Sequence, residues 1–212
     1  MDYTISINGF HGTSKNAASN ILKGKKYTYN EREDHWLGQG IYFFKDDPDQ
    51  AMSWGLTQVD NGERAAVLQT VINVQSSSSL DLNTRSGIHK FKELQKIILK
   101  EAKEKGIEVN TQKDETDHNF EKKFRCFILD LLPPHIKVIQ NYFKLDKQPG
   151  FVLKSEIMER LNIEMYSVQI CVRDPRVIDE DTIEVYKEKR KQIHKNLKFK
   201  KPTKRKRNII VK

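Results

Sequence analysis

The sequence is poor in cysteine and has no long hydrophobic run. Its two cysteines, Cys126 and Cys171, are far apart and do not stand among histidines at the spacing of zinc ligands. This usage predicts a reducing compartment and no metal site. No stretch approaches the roughly 18 consecutive apolar residues of a membrane span, and the chain does not begin with the basic and apolar segments of a secretion signal. We therefore expect a cytoplasmic protein that has no membrane partner.

Acidic residues are scarce only in the last part of the chain. Residues 187–212 contain 13 Lys and Arg and one acid, a net charge of +12, whereas residues 1–186 carry a net charge of −3. The run Lys204-Arg205-Lys206-Arg207 is typical of a segment that binds a polyanion, most simply nucleic acid, because each phosphate contact releases counterions. A solvated tail that only aids solubility explains the same charge equally well. The pattern predicts one domain, residues 1–186, followed by a basic tail.

Short apolar patterns in the first half of the chain alternate between strand and helix spacing. Alternating apolar and polar residues predict a strand from Tyr3 to Phe10 that runs into His11-Gly12-Thr13. Ser14 can cap a short helix that Gly24 is placed to end. The next predicted elements are a functional loop over residues 25–39, a strand over residues 41–44, a helix capped at Asp47-Pro48-Asp49 and a strand over residues 65–74.

The second half of the chain combines a helical pattern with a late strand. Residues 86–145 have helical spacing and are interpreted as a helical insertion between two halves of a sheet. Alternation from Tyr166 to Val172 predicts a strand with Ser167, Gln169 and Cys171 on one face, so that Gln169 faces away from the apolar side. The combination predicts an α+β fold.

Three motifs, each weak on its own, occur in an informative order. The three motifs are, in this order, Phe10-His11-Gly12-Thr13, Gly38-Gln39-Gly40-Ile41-Tyr42-Phe43-Phe44 and Val168-Gln169-Ile170-Cys171, and a further matching segment, Ala51-Met52-Ser53-Trp54, stands between the second and the third. This order resembles the ADP-ribosyltransferase superfamily. It is most similar to the diphtheria-toxin and poly(ADP-ribose)-polymerase branch, whose three key positions are His, Tyr and usually Glu. The resemblance covers residues 5–56 and about 160–178, and it implies a split mixed β-sheet core with residues 1–186 as the catalytic domain.

The resemblance implies that NAD⁺ is the co-substrate and assigns residues to it. His11 would hydrogen-bond the adenosine ribose, the backbone of Gly12 would approach the nicotinamide amide, and Tyr42 would stack on the nicotinamide ring. Thr13 and Gly40 belong to the same matched segments and are assigned to NAD⁺ binding with them. A different use of NAD⁺, in redox chemistry, is disfavoured because the chain lacks a Gly-x-Gly-x-x-Gly turn between a strand and a helix.

Gln169 occupies the third key position, where the family usually has Glu. With His11 and Tyr42 it completes the predicted catalytic set. A neutral amide can accept a hydrogen bond from a ribose hydroxyl, but it cannot remove a proton from an incoming nucleophile. This argues against polymer extension and favours a single transfer, a substrate that is already nucleophilic, or an inactive domain. Three acids stand open as substitute bases: Glu33, Glu164 and Asp174.

The leading hypothesis is mono-ADP-ribosylation of a nucleic acid, based on the three motifs together with the basic tail, and RNA is the preferred acceptor. Small members of the superfamily with a nucleic-acid preference resemble bacterial toxins that an antitoxin protein restrains and that act in phage defence. Two alternatives keep the enzyme and change the acceptor to a protein side chain or to water, the latter making an NAD⁺ hydrolase. A third alternative is a non-catalytic module that binds nucleic acid.

Overall fold

Helices and strands alternate along the part of the chain that the computed structural model describes, which is residues 2–106, 109, 120–144, 160–161 and 164–192. In chain order the elements are β1 (Thr4–Ser14), α1 (Lys15–Gly24), β2 (Ile41–Lys45), α2 (Pro48–Thr57), β3 (Arg64–Gln75), a 3₁₀ turn (Ser76–Ser78), β4 (Ser79–Asp81), α3 (Arg85–Glu104), α4 (Phe120–Asp130), β5 (Val138–Lys144), β6 (Tyr166–Val172), a second 3₁₀ turn (Pro175–Val177) and β7 (Ile178–Arg190). None of these helices is long and apolar enough to cross a membrane.

The described strands form one mixed sheet. Its strand order is β4-β5-β6-β2-β1-β3-β7. The pair β4–β5 is parallel, and every other neighbouring pair is antiparallel. The predicted combination of helices with a mixed sheet is therefore confirmed at this level.

Local sequence signals explain how the first elements begin and end. The Ser14 hydroxyl accepts a hydrogen bond from the Ala17 N–H at 3.2 Å, which caps α1 as predicted. The left-handed residue that ends α1 is Lys25, with φ of 47°, rather than Gly24. Asp47 caps α2 by accepting from the Gln50 N–H at 3.0 Å. Strand β1 extends to Ser14, so the His11-Gly12-Thr13 segment lies within the strand and not beyond its end.

Two predicted boundaries differ from the structure. The predicted insertion, residues 86–145, contains α3 and α4, but residues 138–144 form strand β5 between β4 and β6. A short apolar run suits a strand as well as a helix, and here the two flanking strands decide the outcome. Residues 187–190, assigned to the basic tail, belong to β7 because they pair with β3. The rest of the predicted tail, from residue 193 on, lies outside the described residues.

Both faces of the sheet are covered, which corrects the prediction for β6. On one face, here called the α1 face, Ile170 and Val172 pack into a core that includes residues of α1. On the opposite face, here called the α2 face, Cys171 is fully buried in a cluster with residues of α3 and α4. Gln169 shares the Cys171 face and lies on the side of the strand opposite to Ile170 and Val172, as predicted. The expectation that this face is not apolar is wrong, because apolar layers lie on both sides of the strand.

The α2 face carries two separate apolar clusters. One lies under α2 and includes Phe10, Phe44 and Ala51. The other lies under α3 and α4, and Tyr42 packs against it. Three polar residues of β5 and β6 share this face, because Asn141 is opposite Gln169 and Ser167 is two positions away from it. We call Asn141, Ser167 and Gln169 the polar seam.

Candidate active site

The hydrogen-bonded ladder between β1 and β2 is much shorter than either strand. It consists of the pairs Gly9–Lys45 and Phe10–Phe44. Beyond these pairs β1 continues along β3 to residue 14, whereas β2 continues along β6 back to residue 41. We call the region between residues 11–14 of β1 and residues 40–43, which include the start of β2, the β1–β2 split. Two of the three motifs meet there.

The His11 imidazole bridges the β1–β2 split. Its Nδ1 lies 2.8 Å from the carbonyl oxygen of Tyr42. A carbonyl oxygen only accepts hydrogen bonds, so Nδ1 carries the proton and donates it. Burial lowers the pKa of the ring, an effect that the bond to Tyr42 opposes. The ring is therefore neutral near pH 7, and Nε2 keeps a lone pair that can accept a hydrogen bond.

Backbone groups of Gly12 point toward the β1–β2 split. Along a strand, successive residues direct their N–H and C=O groups to alternate sides. The Asp46 N–H donates to the Asn8 carbonyl at 3.3 Å, so even-numbered residues of β1 face β2. In a continued ladder the Gly12 N–H would pair with the Tyr42 carbonyl, but His11 occupies that oxygen. The Gly12 peptide groups are thus directed at the split without a ladder partner in β2.

Helix α2 explains why residue 12 is a glycine. A Cβ atom at Gly12 would lie 1.7 Å from the carbonyl oxygen of Ala51. Gly55 is similarly close to β1, since its own Cβ would lie 3.1 Å from the Thr13 nitrogen. The backbone of α2 therefore rests directly on this part of β1 on the α2 face.

The Tyr42 side chain is held by the loop that precedes β2. Its hydroxyl donates to the Gly38 carbonyl at 2.8 Å and accepts from the Leu37 N–H at 2.7 Å. The ring of His35 meets the Tyr42 ring edge-on, with centroids 5.4 Å apart. Burial raises the pKa of the Tyr42 phenol well above its ordinary range, so the hydroxyl keeps its proton. The ring plane is consequently fixed before any ligand binds.

Gln169 and Tyr42 are diagonal neighbours on the α2 face. Tyr42 is opposite Cys171 and Phe44 is opposite Gln169, so the two side chains lie on adjacent strands, two positions apart. Gln169 is half-buried and is the member of the polar seam nearest to Tyr42 in register. The structure therefore places the second and third predicted catalytic residues side by side.

Asp47 reaches the polar seam from the start of α2. Its Oδ2 accepts a hydrogen bond from the buried Ser167 hydroxyl at 2.9 Å. The sequence pattern identified Asp47 only as a helix cap, because its contact with β6 depends on the packing of two distant segments. The Asp47 carboxylate therefore contacts the polar seam at Ser167, which is two positions along β6 from Gln169.

The three acids considered as substitute bases are occupied by cations. Hydrogen bonding to Arg176 lowers the pKa of Asp174 to about 2, which makes Asp174 a weak base at neutral pH. Glu164 contacts Lys144. Glu33 is exposed and lies 3.9 Å from a lysine of α4.

His11 is on the other side of the sheet from Tyr42 and Gln169. Its ring contacts Tyr27 and Phe43 on the α1 face, with centroids 5.3 and 5.7 Å away. The three predicted catalytic residues therefore do not share one face. A ligand that contacts all three must pass through the β1–β2 split.

The remaining two predicted residues line the ends of the split. Thr13 is half-buried and lies in β1 opposite Ala66 of β3. Gly40 is buried immediately before the first pair of β2 with β6, Ile41–Val172. The described residues contain no group of three His, Cys, Asp or Glu side chains arranged to hold a metal ion.

Comparison with known proteins identifies a relative. The chain is 26% identical over 183 residues to the uncharacterized protein MJ0359 of Methanocaldococcus jannaschii, which covers 80% of this chain and 83% of that protein. No family model matches the chain, and no solved structure matches it. An inference about activity therefore depends on the residues of the β1–β2 split and on the order of the motifs.

Proposed function

We propose that this protein is an NAD⁺-dependent mono-ADP-ribosyltransferase that binds NAD⁺ across the β1–β2 split. The proposal depends chiefly on the hydrogen bond between the His11 ring and the Tyr42 carbonyl, because it joins two motifs that are 31 positions apart. The motif order and the position of Gln169 beside Tyr42 also support it. NAD⁺ is long and has a ribose near each end, which suits a site that continues from one face of the sheet to the other.

Each end of NAD⁺ would meet groups of matching polarity. The lone pair on His11 Nε2 accepts a hydrogen bond from a hydroxyl of the adenosine ribose. The nicotinamide carboxamide has an N–H donor and a C=O acceptor, which pair with the C=O and N–H of Gly12. The Tyr42 ring stacks on nicotinamide, and its fixed plane reduces the entropy lost on binding.

The reaction breaks the bond between nicotinamide and the anomeric carbon of ribose. The bonding electrons leave with the nicotinamide nitrogen, which becomes neutral, and the ribose acquires oxocarbenium character. A lone pair of the acceptor forms the new bond to the anomeric carbon, and the acceptor proton is released to water. The Gln169 amide oxygen accepts a hydrogen bond from a hydroxyl of this ribose and holds it in place. Because Gln169 cannot act as a base, we propose one transfer rather than a polymer.

The proposed acceptor is nucleic acid, with RNA preferred. The net charge of +12 over residues 187–212 supports this choice, because a basic segment attracts a phosphate backbone. A role as a toxin in phage defence, restrained by an antitoxin protein, belongs to the same proposal and is supported by the resemblance alone.

Labelled NAD⁺ tests the proposal directly. The full-length protein is incubated with NAD⁺ labelled in the adenylate half and with cell lysate, and nicotinamide release is measured in parallel. Label on macromolecules that nuclease removes and protease does not is the expected result. Tyr42→Ala should lose activity, whereas Tyr3→Ala, at a tyrosine that is 64% exposed, serves as the matched control.

The other outcomes identify the competing functions. Label that survives nuclease but not protease indicates a protein acceptor. Free ADP-ribose without macromolecular label indicates an NAD⁺ hydrolase. Nucleic-acid binding with no nicotinamide release contradicts the enzyme proposal and indicates a binding module.

A further inference from the structure

One peptide group connects helix α4 to the Tyr42 hydroxyl. The Gln39 N–H donates to Asp130 Oδ1 at 2.6 Å, and the Gly38 carbonyl accepts from the Tyr42 hydroxyl at 2.8 Å. These two bonds use the N–H and the C=O of the same conjugated peptide unit. Hydrogen bonds at its two ends polarise it in the same direction and strengthen each other.

Asp130 is itself held in a defined position. The Cys126 thiol, one turn earlier on α4, donates to Asp130 Oδ2 at 3.6 Å. The Arg173 guanidinium donates to the Asp130 carbonyl at 3.3 Å and to the Leu132 and Ile136 carbonyls at 3.0 and 2.9 Å. Since Arg173 directly follows β6, the sheet fixes the end of α4, and α4 fixes the carboxylate.

The approach of Asp130 to this peptide requires a glycine at position 38. Gly38 has φ of +80°, and a Cβ atom there would lie 2.6 Å from Asp130 Oδ1. Arg125 of the same helix stacks its guanidinium over Trp36 at 4.9 Å. Helix α4 therefore contacts the loop before β2 at Trp36 and at the Gly38–Gln39 peptide, on either side of Leu37.

We propose that Asp130 is a positioning residue for Tyr42, and that α4 thereby forms one wall of the nicotinamide site. Asp130 does not touch the substrate. It holds the Gly38–Gln39 peptide, this peptide holds the Tyr42 hydroxyl, and the ring keeps the plane on which nicotinamide stacks. This inference rests on the proposed function for its catalytic consequence and on the two hydrogen bonds for its structural content.

Substitutions of Asp130 test the catalytic consequence. Asp130→Ala should lower kcat/KM for NAD⁺ by about tenfold to a hundredfold, the range expected for the loss of a hydrogen bond to a charged group. Asp130→Asn keeps an oxygen that accepts from Gln39 and should restore most of the activity. Glu93→Ala, which removes a carboxylate that is 76% exposed on α3, is the matched control and should leave kcat/KM unchanged. Equal activity of Asp130→Ala and wild type would overturn the proposal.

A double-mutant cycle separates positioning from general destabilisation. Tyr42→Phe keeps the ring and removes the hydroxyl, so Asp130→Ala should cost much less activity in the Tyr42→Phe background than in wild type. If Asp130→Ala lowers kcat/KM by the same factor in both backgrounds, Asp130 acts independently of the Tyr42 hydroxyl and the inference is overturned.

Hydrogen exchange of the Gln39 amide distinguishes failure of this inference from failure of the proposed function. Exchange should be faster in Asp130→Ala than in wild type, Asp130→Asn or Glu93→Ala. Unchanged exchange would overturn the link between Asp130 and the loop even if the enzyme uses NAD⁺. If exchange is faster in Asp130→Ala but the protein never releases nicotinamide, the link between Asp130 and the loop is supported and the nicotinamide site is contradicted.

Discussion

Strand β1 pairs along its whole length with β3 but only over two residues with β2. Against β3 it forms eleven consecutive residue pairs from Thr4 to Ser14, without a register shift. Against β2 it forms two pairs, after which the His11 side chain takes the carbonyl that the ladder would use. The continuous pairing with β3 satisfies the backbone within the sheet, whereas the interrupted pairing with β2 leaves peptide groups directed at the β1–β2 split. The same strand thus supports the fold on one side and the candidate site on the other.

The largest effect is expected from shortening a buried side chain in β3, where β3 pairs continuously with β1. Ile72→Ala removes a fully buried side chain of β3 and should lower the free energy of unfolding by about 2–5 kcal/mol. Urea denaturation measures this loss, and calorimetry of the folded fraction should show unchanged NAD⁺ affinity. A specific loss of NAD⁺ affinity in the folded protein would mean that the β1–β3 pairing and the β1–β2 split are not independent.

Gly12→Ala should lower both the stability of the fold and the affinity for NAD⁺. The added methyl group collides with the Ala51 carbonyl, so we expect a loss of about 1–3 kcal/mol in stability as α2 shifts. NAD⁺ affinity should fall as well, because the Gly12 peptide groups move with the strand. The matched substitution Gly24→Ala has open space and should do neither. Full NAD⁺ affinity in Gly12→Ala would contradict the assigned role of this peptide.

Replacement of Tyr42 tests the ring as the stacking surface for nicotinamide. Because the ring also packs against the cluster under α3 and α4, activity is measured per folded protein. Tyr42→Ala removes the stack on nicotinamide, a loss on the order of 1–3 kcal/mol in transition-state binding. Steady-state kinetics with NAD⁺ measure this loss, and Tyr42→Phe should retain more activity because it keeps the ring. An Ala variant as active as wild type would show that nicotinamide binds elsewhere.

The pH dependence of stability should reveal the buried His11 ring. Its folded-state pKa is below the ordinary value of 6.5, so the unfolded chain takes up the proton first as pH falls. Stability from this group is complete above about pH 6.5 and is lost between 6.5 and the lower folded-state value, by at most about 1.4 kcal/mol per pH unit. Urea unfolding of wild type and His11→Gln should show a smaller decline in the variant. His35 has the same direction of shift, so some decline persists. Identical profiles would indicate that His11 is not buried.

Removal of the tail should have the smallest effect on the β1–β2 split. Deleting residues 195–212 should leave NAD⁺ affinity unchanged and reduce the slope of acceptor binding against salt concentration. Binding of labelled RNA over a range of salt concentrations measures the slope. An unchanged slope would assign the tail to solubility alone.

Much of the fold could be predicted where the signal was local. The Ser14 and Asp47 caps and the strands β1, β2, β3 and β6 follow from propensity, alternation and helix capping. Strand β7 was missed because its many charged side chains suit an exposed edge strand as well as a tail. Strand β5 was missed because its identity depends on pairing with β4 and β6, which no local pattern encodes.

The sequence by itself determined which residue types belong to the candidate site and in what order they occur, since His11, Tyr42 and Gln169 stand in motifs that can be recognised without coordinates. Only the tertiary structure decided how they are related. It placed Tyr42 and Gln169 on one face and the His11 ring on the other. It also brought Asp47 into contact with Ser167, and Asp130 into contact with the Gln39 amide. These relations depend on where a ladder stops and on which distant segments pack together, and both are decided by contacts between residues far apart in the chain.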